Sequence, residues 1–221
     1  MAPGTGLTAR QEQLLELALS ESYIIENFYL TGGTALSAWY LHHRESYDLD
    51  FFSDHPFDYK RLIRWFRKNE QAINTRTMVF DEDFGFLEVK IRYPNDDLLK
   101  IDFHHYSPSR LKKGIIWKGL TIDSIYDISV NKLQTISEIP RTRDYVDLYA
   151  ILKKTKWTAR TLATSAARKF GVKTDSMHLA KNFLKVVEYV DLPRMLVPFD
   201  RKDMDRFYGN LAISLKKDIF I

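Results

Sequence analysis

Acidic side chains with a spacing suited to metal chemistry occur in two segments of the 221-residue sequence. Asp48 and Asp50 belong to a predicted strand over residues 48–52, and alternate residues of a strand share a face. Asp102 lies in a second predicted strand, on the face opposite its apolar residues. If the two strands are neighbours, the three carboxylates converge as ligands of a two-metal phosphoryl-transfer site, because Mg²⁺ prefers carboxylate oxygens. The alternative is an exposed acidic pair.

A glycine turn precedes this acidic segment. Gly32, Gly33 and Thr34 lie between a predicted short strand over residues 28–30 and a predicted helix over residues 34–42. Glycines allow a ligand to approach the backbone closely, and the first turn of a helix offers free N–H groups to phosphate oxygens. The Thr34 hydroxyl can add a hydrogen bond to such a phosphate.

Hydrophobic periodicity predicts the elements that position these residues. A capping box of Thr8 and Gln11 begins a helix predicted to run from Ala9 to the mid-twenties. A helix follows Pro56 and Asp58, and alternating patterns predict strands over 75–80, 86–93 and 98–104. Beyond residue 124 the pattern is helical, over 125–137, 143–154, 158–169, 176–190 and 201–216. The sequence therefore predicts an α+β protein, with a mixed β-sheet and flanking helices in residues 1–124 and a helical bundle in residues 125–221.

Composition excludes several kinds of protein. The sequence has no cysteine, which excludes a disulfide scaffold, a thiolate zinc site and cysteine catalysis. No apolar run approaches the roughly 20 residues that span a bilayer, and the N-terminal residues lack the features of a signal peptide, so we expect a cytoplasmic protein with no membrane partner. Residues 125–221 carry 18 basic and 11 acidic side chains, against 15 and 18 in residues 1–124. A basic half suits a polyanion such as a nucleotide or RNA, and a solvated lysine-rich surface is the alternative.

Three blocks of the sequence resemble the AbiEii/AbiGii toxin family of the nucleotidyltransferase superfamily. They are LTGGTALSAWYLHHRESYDLDFF at 30–52, LLKIDFHHY at 98–106 and VNKLQTISEIPRTRDYVDLYAIL at 130–152. The resemblance implies a nucleotidyltransferase-like mixed sheet followed by a C-terminal helical bundle. It also implies a nucleoside triphosphate (NTP) as substrate, a two-metal Mg²⁺ site and a cognate antitoxin as partner.

The resemblance also implies residue roles. Gly32, Gly33 and Thr34 would contact the nucleotide phosphates. Asp48 and Asp50 would bridge the metal ions, and Asp102 would bind the ion that activates the acceptor and assist its deprotonation.

Further along, Lys132 would steady the triphosphate, and Asp147 would belong to the nucleotide site. Arg143 and Asp147 are four residues apart and can instead pair with each other on one helix face. Whether Arg143, Asp144 and Asp147 are catalytic or structural stays open. Arg44 can orient the aspartate pair or be a surface charge. His104 and His105 are weaker candidates as metal ligands, because Mg²⁺ prefers oxygen.

These observations lead to a main hypothesis and two alternatives. The main hypothesis is a metal-dependent nucleotidyltransferase that moves a nucleotide to a tRNA or protein hydroxyl, as the toxin of a bacterial toxin–antitoxin or phage-defence system. The first alternative is a non-catalytic nucleotide- or RNA-binding module of the same fold. The second is a phosphatase with an Asp-x-Asp nucleophile, against which the glycine turn before the aspartates and Phe51-Phe52 after them both argue.

Overall fold

The computed structural model describes residues 6–216, and the chain divides into two compact units. The first unit comprises Met1–Tyr40, Ser46–Ser109 and Lys113–Asp123. The second comprises Leu41–Glu45, Arg110–Lys112 and Ser124–Ile221. None of the helices in the described residues is both long and apolar enough to cross a bilayer.

The first unit is built on a seven-stranded mixed sheet with the strand order β3-β4-β5-β2-β1-β7-β6. Its strands are β1 (Tyr29–Thr31), β2 (Leu49–Ser53), β3 (Thr77–Asp83), β4 (Phe86–Arg92), β5 (Leu98–His105), β6 (Ile115–Trp117) and β7 (Leu120–Ile122). Its helices are α1 (Ala9–Ala18), α2 (Ser22–Asn27), α3 (Gly32–Leu36), α4 (Tyr59–Lys68) and α5 (Glu70–Ile73). A π-helical turn over Ser37–Leu41 follows α3 directly.

The predicted mixed sheet is confirmed, one predicted helix is corrected, and two further elements were not predicted. The capping box of Thr8 and Gln11 begins α1 as expected, but the predicted long first helix is two helices separated at residues 19–21. A two-stranded hairpin of β6 and β7 was absent from the predicted elements, because each strand has only three residues. The α5 turn was likewise not predicted.

One face of the sheet forms the core of the first unit. Phe51 of β2 and Phe103 of β5 stack with ring centroids 5.0 Å apart, and Phe66 of α4 packs edge-on against Phe103. Leu49 and Ile101 are buried on the same face. Burial of alternate residues fixes which side chains of β2 and β5 point the other way, since a shift of one residue would exchange the faces.

The second unit is helical. Its helices are α6 (Ile125–Glu138), α7 (Thr142–Lys154), α8 (Ala159–Phe170), α9 (Ser176–Leu184), continued by a 3₁₀ turn over Lys185–Glu188, and α10 (Arg201–Ser214). These bounds agree with the predicted bundle, except that the predicted helix over 176–190 ends early in the 3₁₀ turn. In the core, Tyr145 and Tyr208 meet at right angles with centroids 5.1 Å apart, and the Tyr208 hydroxyl donates to the Tyr145 carbonyl.

A buried ion pair fixes the start of this bundle. Lys169 of α8 donates to Asp127 Oδ1 at 2.8 Å, and both side chains are fully buried. Asp127 also accepts hydrogen bonds from the backbone N–H groups of Leu111 and Lys112 and from the Ser124 hydroxyl. Burial acts to raise the pKa of Asp127, but these bonds and the Lys169 charge hold it below its usual value.

Candidate active site

The sheet brings two of the predicted aspartates directly beside each other. Strands β2 and β5 are parallel neighbours, which meets the condition set in the sequence analysis, and Asp50 is the register partner of Asp102. Asp48 comes immediately before β2. Asp102 is only 7% exposed, although it belongs to the polar face of its strand. Two separate strands therefore contribute carboxylates to one locality of the first unit.

A lysine lies among these carboxylates. Lys100 Nζ donates to Asp102 Oδ2 at 2.5 Å and lies 3.6 Å from Glu88 Oε2. Burial acts to lower the pKa of Lys100, but its hydrogen bond to Asp102 and the Asp102 charge outweigh that effect and raise it. The charges of Asp48 and Asp50 raise the pKa of Lys100 further. One ammonium group thus interacts with all three predicted metal ligands.

Glu88 extends the row of acidic side chains to a third strand and was not predicted as a site residue. It is the register partner of Asp102 on β4, so Glu88, Asp102 and Asp50 stand in one row across three strands. A hydrogen bond from Lys90 holds the pKa of Glu88 below its usual value, against the effect of burial. The alternation of β4 placed Glu88 opposite the apolar residues, but the sequence does not give the register that places it beside Asp102.

The carboxylate oxygens suit a hard divalent cation, although they are not arranged as a preformed metal site. Among residues 6–216, no group of three or more His, Asp or Glu side chains is arranged to hold a metal ion. Yet Asp102 Oδ1 is buried and has no hydrogen-bond partner. A buried carboxylate oxygen left without a partner is costly, and a cation or a proton donor would remove that cost. Carboxylate oxygens are the ligands that Mg²⁺ prefers.

The glycine turn lies against the side chain of Asp50. Gly32 has a φ of +72°, a conformation that glycine adopts without strain. A Cβ atom at this position would lie 2.1 Å from Asp50 Oδ2 and 2.8 Å from Asp50 Cγ. Only glycine therefore leaves room for the observed Asp50 side chain. Gly33 follows in the first turn of α3.

Thr34 holds the backbone of the acidic segment. It is buried, and its hydroxyl donates to the Asp48 carbonyl oxygen at 2.5 Å. Gln11 Nε2 lies 3.5 Å from that hydroxyl and donates to the Ser46 carbonyl at 2.9 Å. Gln11 was predicted only as a capping residue, and its second contact positions the chain just before Asp48. The geometry gives Thr34 a positioning role for Asp48.

The two histidines of β5 contact different groups. His104 packs against Phe52 and Phe86, with centroids 5.3 and 4.7 Å away. Burial lowers the pKa of His104, which favours its neutral form. His105 donates its backbone N–H to the Gly85 carbonyl at 2.7 Å.

The remaining predicted residues belong to a buried ion network in the second unit. Asp147 Oδ1 lies 2.6 Å from Arg44 Nε and 2.8 Å from His43 Nε2, and Asp147 Oδ2 lies 2.8 Å from Lys132 Nζ. Lys132 also donates to Asp144 at 2.7 Å. Arg44 is 1% exposed, so the expectation of a surface charge is wrong.

This network decides the protonation of Asp147. Burial acts to raise its pKa, but the charges of Lys132 and Arg44 and the bonds from His43 and Arg44 hold it well below the usual value. The pKa of Asp144 is lowered in the same way, with Lys132 as its principal partner. Both carboxylate oxygens of Asp147 therefore contact basic side chains of the same unit.

Comparison with known proteins places the chain among nucleotidyltransferases. The model of the family described as "Nucleotidyl transferase AbiEii toxin, Type IV TA system" matches residues 13–214. A protein of Aquifex aeolicus (strain VF5), described as uncharacterized, is 28% identical over 185 residues, covering 74% of this chain and 76% of that protein.

Solved structures agree on the fold. A crystal structure from H. pylori, described as a candidate nucleotidyltransferase, aligns with a TM-score of 0.57 at 19% identity, covering 96% of this chain and 97% of that one. The structure of JHP933 from Helicobacter pylori aligns with a TM-score of 0.56 at 18% identity, covering 94% and 93%. At these identities the likeness shows a shared fold.

Proposed function

This chain belongs to the AbiEii nucleotidyl transferase toxin family, and on that premise we propose that it is a metal-dependent nucleotidyltransferase. It moves a nucleotide from an NTP to a hydroxyl of a tRNA or a protein, in the cytoplasm, as a toxin restrained by a cognate antitoxin. The observation that carries the proposal is the register pairing of Asp50 with Asp102 beside the Gly32 turn.

The proposed reaction is an in-line displacement at the α-phosphorus of the NTP. The acceptor hydroxyl oxygen forms a bond to that phosphorus, and the bond between the α-phosphorus and the bridging oxygen of the β-phosphate breaks. Pyrophosphate leaves with that electron pair. The hydroxyl proton passes to the Asp102 carboxylate. Most of the rate comes from positioning and charge neutralisation.

The chain's own residues bind and orient the substrate. Gly32 and Gly33 let the phosphates approach the backbone at the start of α3, where N–H groups lack helical partners. Thr34 fixes Asp48 through the Asp48 carbonyl, so its contribution to nucleotide binding is made through that aspartate.

Mg²⁺ is the proposed cofactor, held by carboxylate oxygens of Asp48, Asp50 and Asp102. Bound there, it supplies charge neutralisation for the triphosphate and lowers the cost of deprotonating the acceptor. Because Asp102 already shares Oδ2 with Lys100, its free Oδ1 is the atom that meets the ion or the acceptor.

Lys132 and Asp147 stay predicted nucleotide-site residues. Within the second unit their side chains are ion-paired, with 2.8 Å between Lys132 Nζ and Asp147 Oδ2. A direct role for Lys132 in steadying the triphosphate would require it to exchange that partner. A Lys132→Arg variant, which keeps the charge but changes the geometry, addresses this role.

The test is transfer of label from α-³²P-labelled NTPs. The full chain is incubated with Mg²⁺, each of the four NTPs and either total tRNA or total protein. We expect label on one acceptor class, its loss with EDTA, and its loss in Asp48→Asn, Asp50→Asn and Asp102→Asn. Asp96→Asn is the matched control, since Asp96 is an exposed hairpin residue paired with Arg76.

Two results would overturn the proposal. One is the absence of transfer with all four nucleotides and both acceptor classes. The other is transfer that survives in the three aspartate variants. Tight nucleotide binding without transfer would instead favour the non-catalytic binding module.

A further inference from the structure

We propose that Lys100 is a built-in counter-ion of the carboxylate cluster and competes with the divalent cation for Asp102. The carboxylate cluster is the group formed by Asp48, Asp50 and Asp102. The proposal rests on the proposed function in one respect, that this cluster is where a divalent cation binds. It assigns a role to a residue that none of the sequence motifs singled out.

The contacts of Lys100 show why it fits this role. Its Nζ donates to Asp102 Oδ2 at 2.5 Å, and Glu88 Oε2 lies 3.6 Å away on the other side. The Lys100 side chain is 30% exposed, so its end can move without leaving a cavity in the core. Glu88 gives the ammonium group a second carboxylate to which it can withdraw when it leaves Asp102.

The charge balance of the cluster supplies the physical reason. Adjacent carboxylates on neighbouring strands repel one another, and an opposite charge nearby offsets that repulsion. In the absence of an ion, Lys100 provides the charge. When a divalent cation takes Asp102, the ammonium group becomes a like charge and opposes binding. Lys100 therefore lowers the affinity of the cluster for the ion while stabilising the ion-free protein.

The unpartnered oxygen of Asp102 indicates that an external ligand still belongs here. Lys100 satisfies Oδ2 only, and Oδ1 remains buried without a hydrogen bond. An ion can first contact Oδ1 and then displace Lys100 from Oδ2. The carboxylates are not gathered around one point in residues 6–216, as a preformed metal site requires. The proposed competition accounts for that arrangement, because the ammonium group occupies Asp102 Oδ2.

The experiment is a titration of the full chain with Mn²⁺, in which free Mn²⁺ is followed by electron paramagnetic resonance without nucleotide. Lys100→Met removes the charge and keeps a side chain of similar length. We expect it to bind Mn²⁺ about tenfold more tightly than the wild type, from the removal of one nearby like charge. Lys100→Arg keeps the charge, so its affinity should stay within about twofold of the wild type.

Lys90→Met is the matched control. Lys90 is the register partner of Lys100, but it pairs with Glu88 and is 48% exposed. Solvent screens an exposed charge, so this variant should change Mn²⁺ affinity by less than about twofold.

Thermal unfolding provides a readout that does not depend on activity. In EDTA, Lys100→Met should unfold at a lower temperature than the wild type, because its carboxylates have lost their counter-ion. Saturating Mn²⁺ should shrink or reverse that difference, since a ligand stabilises the state that it binds.

The inference is overturned if Lys100→Met binds Mn²⁺ no more tightly than the wild type, if Lys90→Met and Lys100→Met have equal effects, or if Lys100→Arg tightens binding as much as Lys100→Met. Nucleotide transfer with unchanged Mn²⁺ affinities refutes the counter-ion and leaves the proposed function intact. Tighter binding by Lys100→Met without any transfer supports the counter-ion and refutes the proposed function.

Discussion

Replacing Gly32 by alanine should disable the active site by moving Asp50. The new Cβ would lie 2.1 Å from Asp50 Oδ2, whereas ordinary contacts begin at 3.4 Å, so the carboxylate must withdraw by about 1.3 Å. A misplacement of about 1 Å at a reacting centre costs about 100-fold in rate. Alanine at a φ of +72° also costs about 1–2 kcal/mol of stability.

Gly171→Ala separates these two effects. Gly171 ends α8 with a φ of +70°, and a Cβ there would meet nothing within 4 Å. It should lose a similar free energy of unfolding, about 1–2 kcal/mol, while its transfer rate stays that of the wild type.

Two assays decide the Gly32 prediction: kcat/KM for label transfer, and urea unfolding followed by circular dichroism. We expect Gly32→Ala to lose about 100-fold in kcat/KM and Gly171→Ala to lose none. A Gly32→Ala enzyme with the wild-type rate would refute the claim that Gly32 makes room for Asp50. Equal loss in both variants would assign the effect to backbone strain alone.

Two further predictions concern the buried carboxylates of the second unit. Arg44→Met should lower the free energy of unfolding by about 3–5 kcal/mol in urea titrations, because it takes a partner from the buried Asp147. Arg206→Ala breaks an exposed pair and should lower it by less than about 1 kcal/mol. Equal losses in the two variants would refute the importance of the network around Asp147. Acid should destabilise the protein as the pH falls below about 4, because the folded pKa values of Asp127, Asp144 and Asp147 are lowered and the unfolded chain takes up protons first. Their contribution is complete above the unfolded pKa and is lost as the pH approaches the folded values. A free energy of unfolding that is flat from pH 5 to pH 3 would contradict this prediction.

Local patterns in the sequence were enough to predict the faces of the site strands. Leu49 and Phe51 alternate with Asp48 and Asp50, and this alternation places the acidic side chains opposite the core. Short apolar-polar alternation also predicted β4 and β5 to within one residue at most ends. The adjacency of β2 and β5 was only a condition of the predicted site, and their parallel direction was not predicted, since strands far apart in sequence carry no local mark of adjacency.

Contacts between side chains that are far apart in the chain could not be predicted from the sequence. Lys100 and Glu88 were visible as polar residues of their strands, but their meeting at Asp102 depends on the register of β4 against β5. Arg44 precedes Asp147 by 103 residues, and nothing in its own segment indicates that it is buried. The break between α1 and α2 contains neither glycine nor proline, so the periodic pattern ran on through it.

The most direct test of the central claim is a crystal structure of the full chain with Mn²⁺ and a non-hydrolysable NTP, with the ions located by anomalous scattering. We expect two ions roughly 3.5–4 Å apart, ligated by Asp48 and Asp50, with Asp102 bound to one of them and Lys100 Nζ withdrawn from Asp102. Ions bound without Asp102, or a nucleotide bound away from the Gly32 turn, would contradict it.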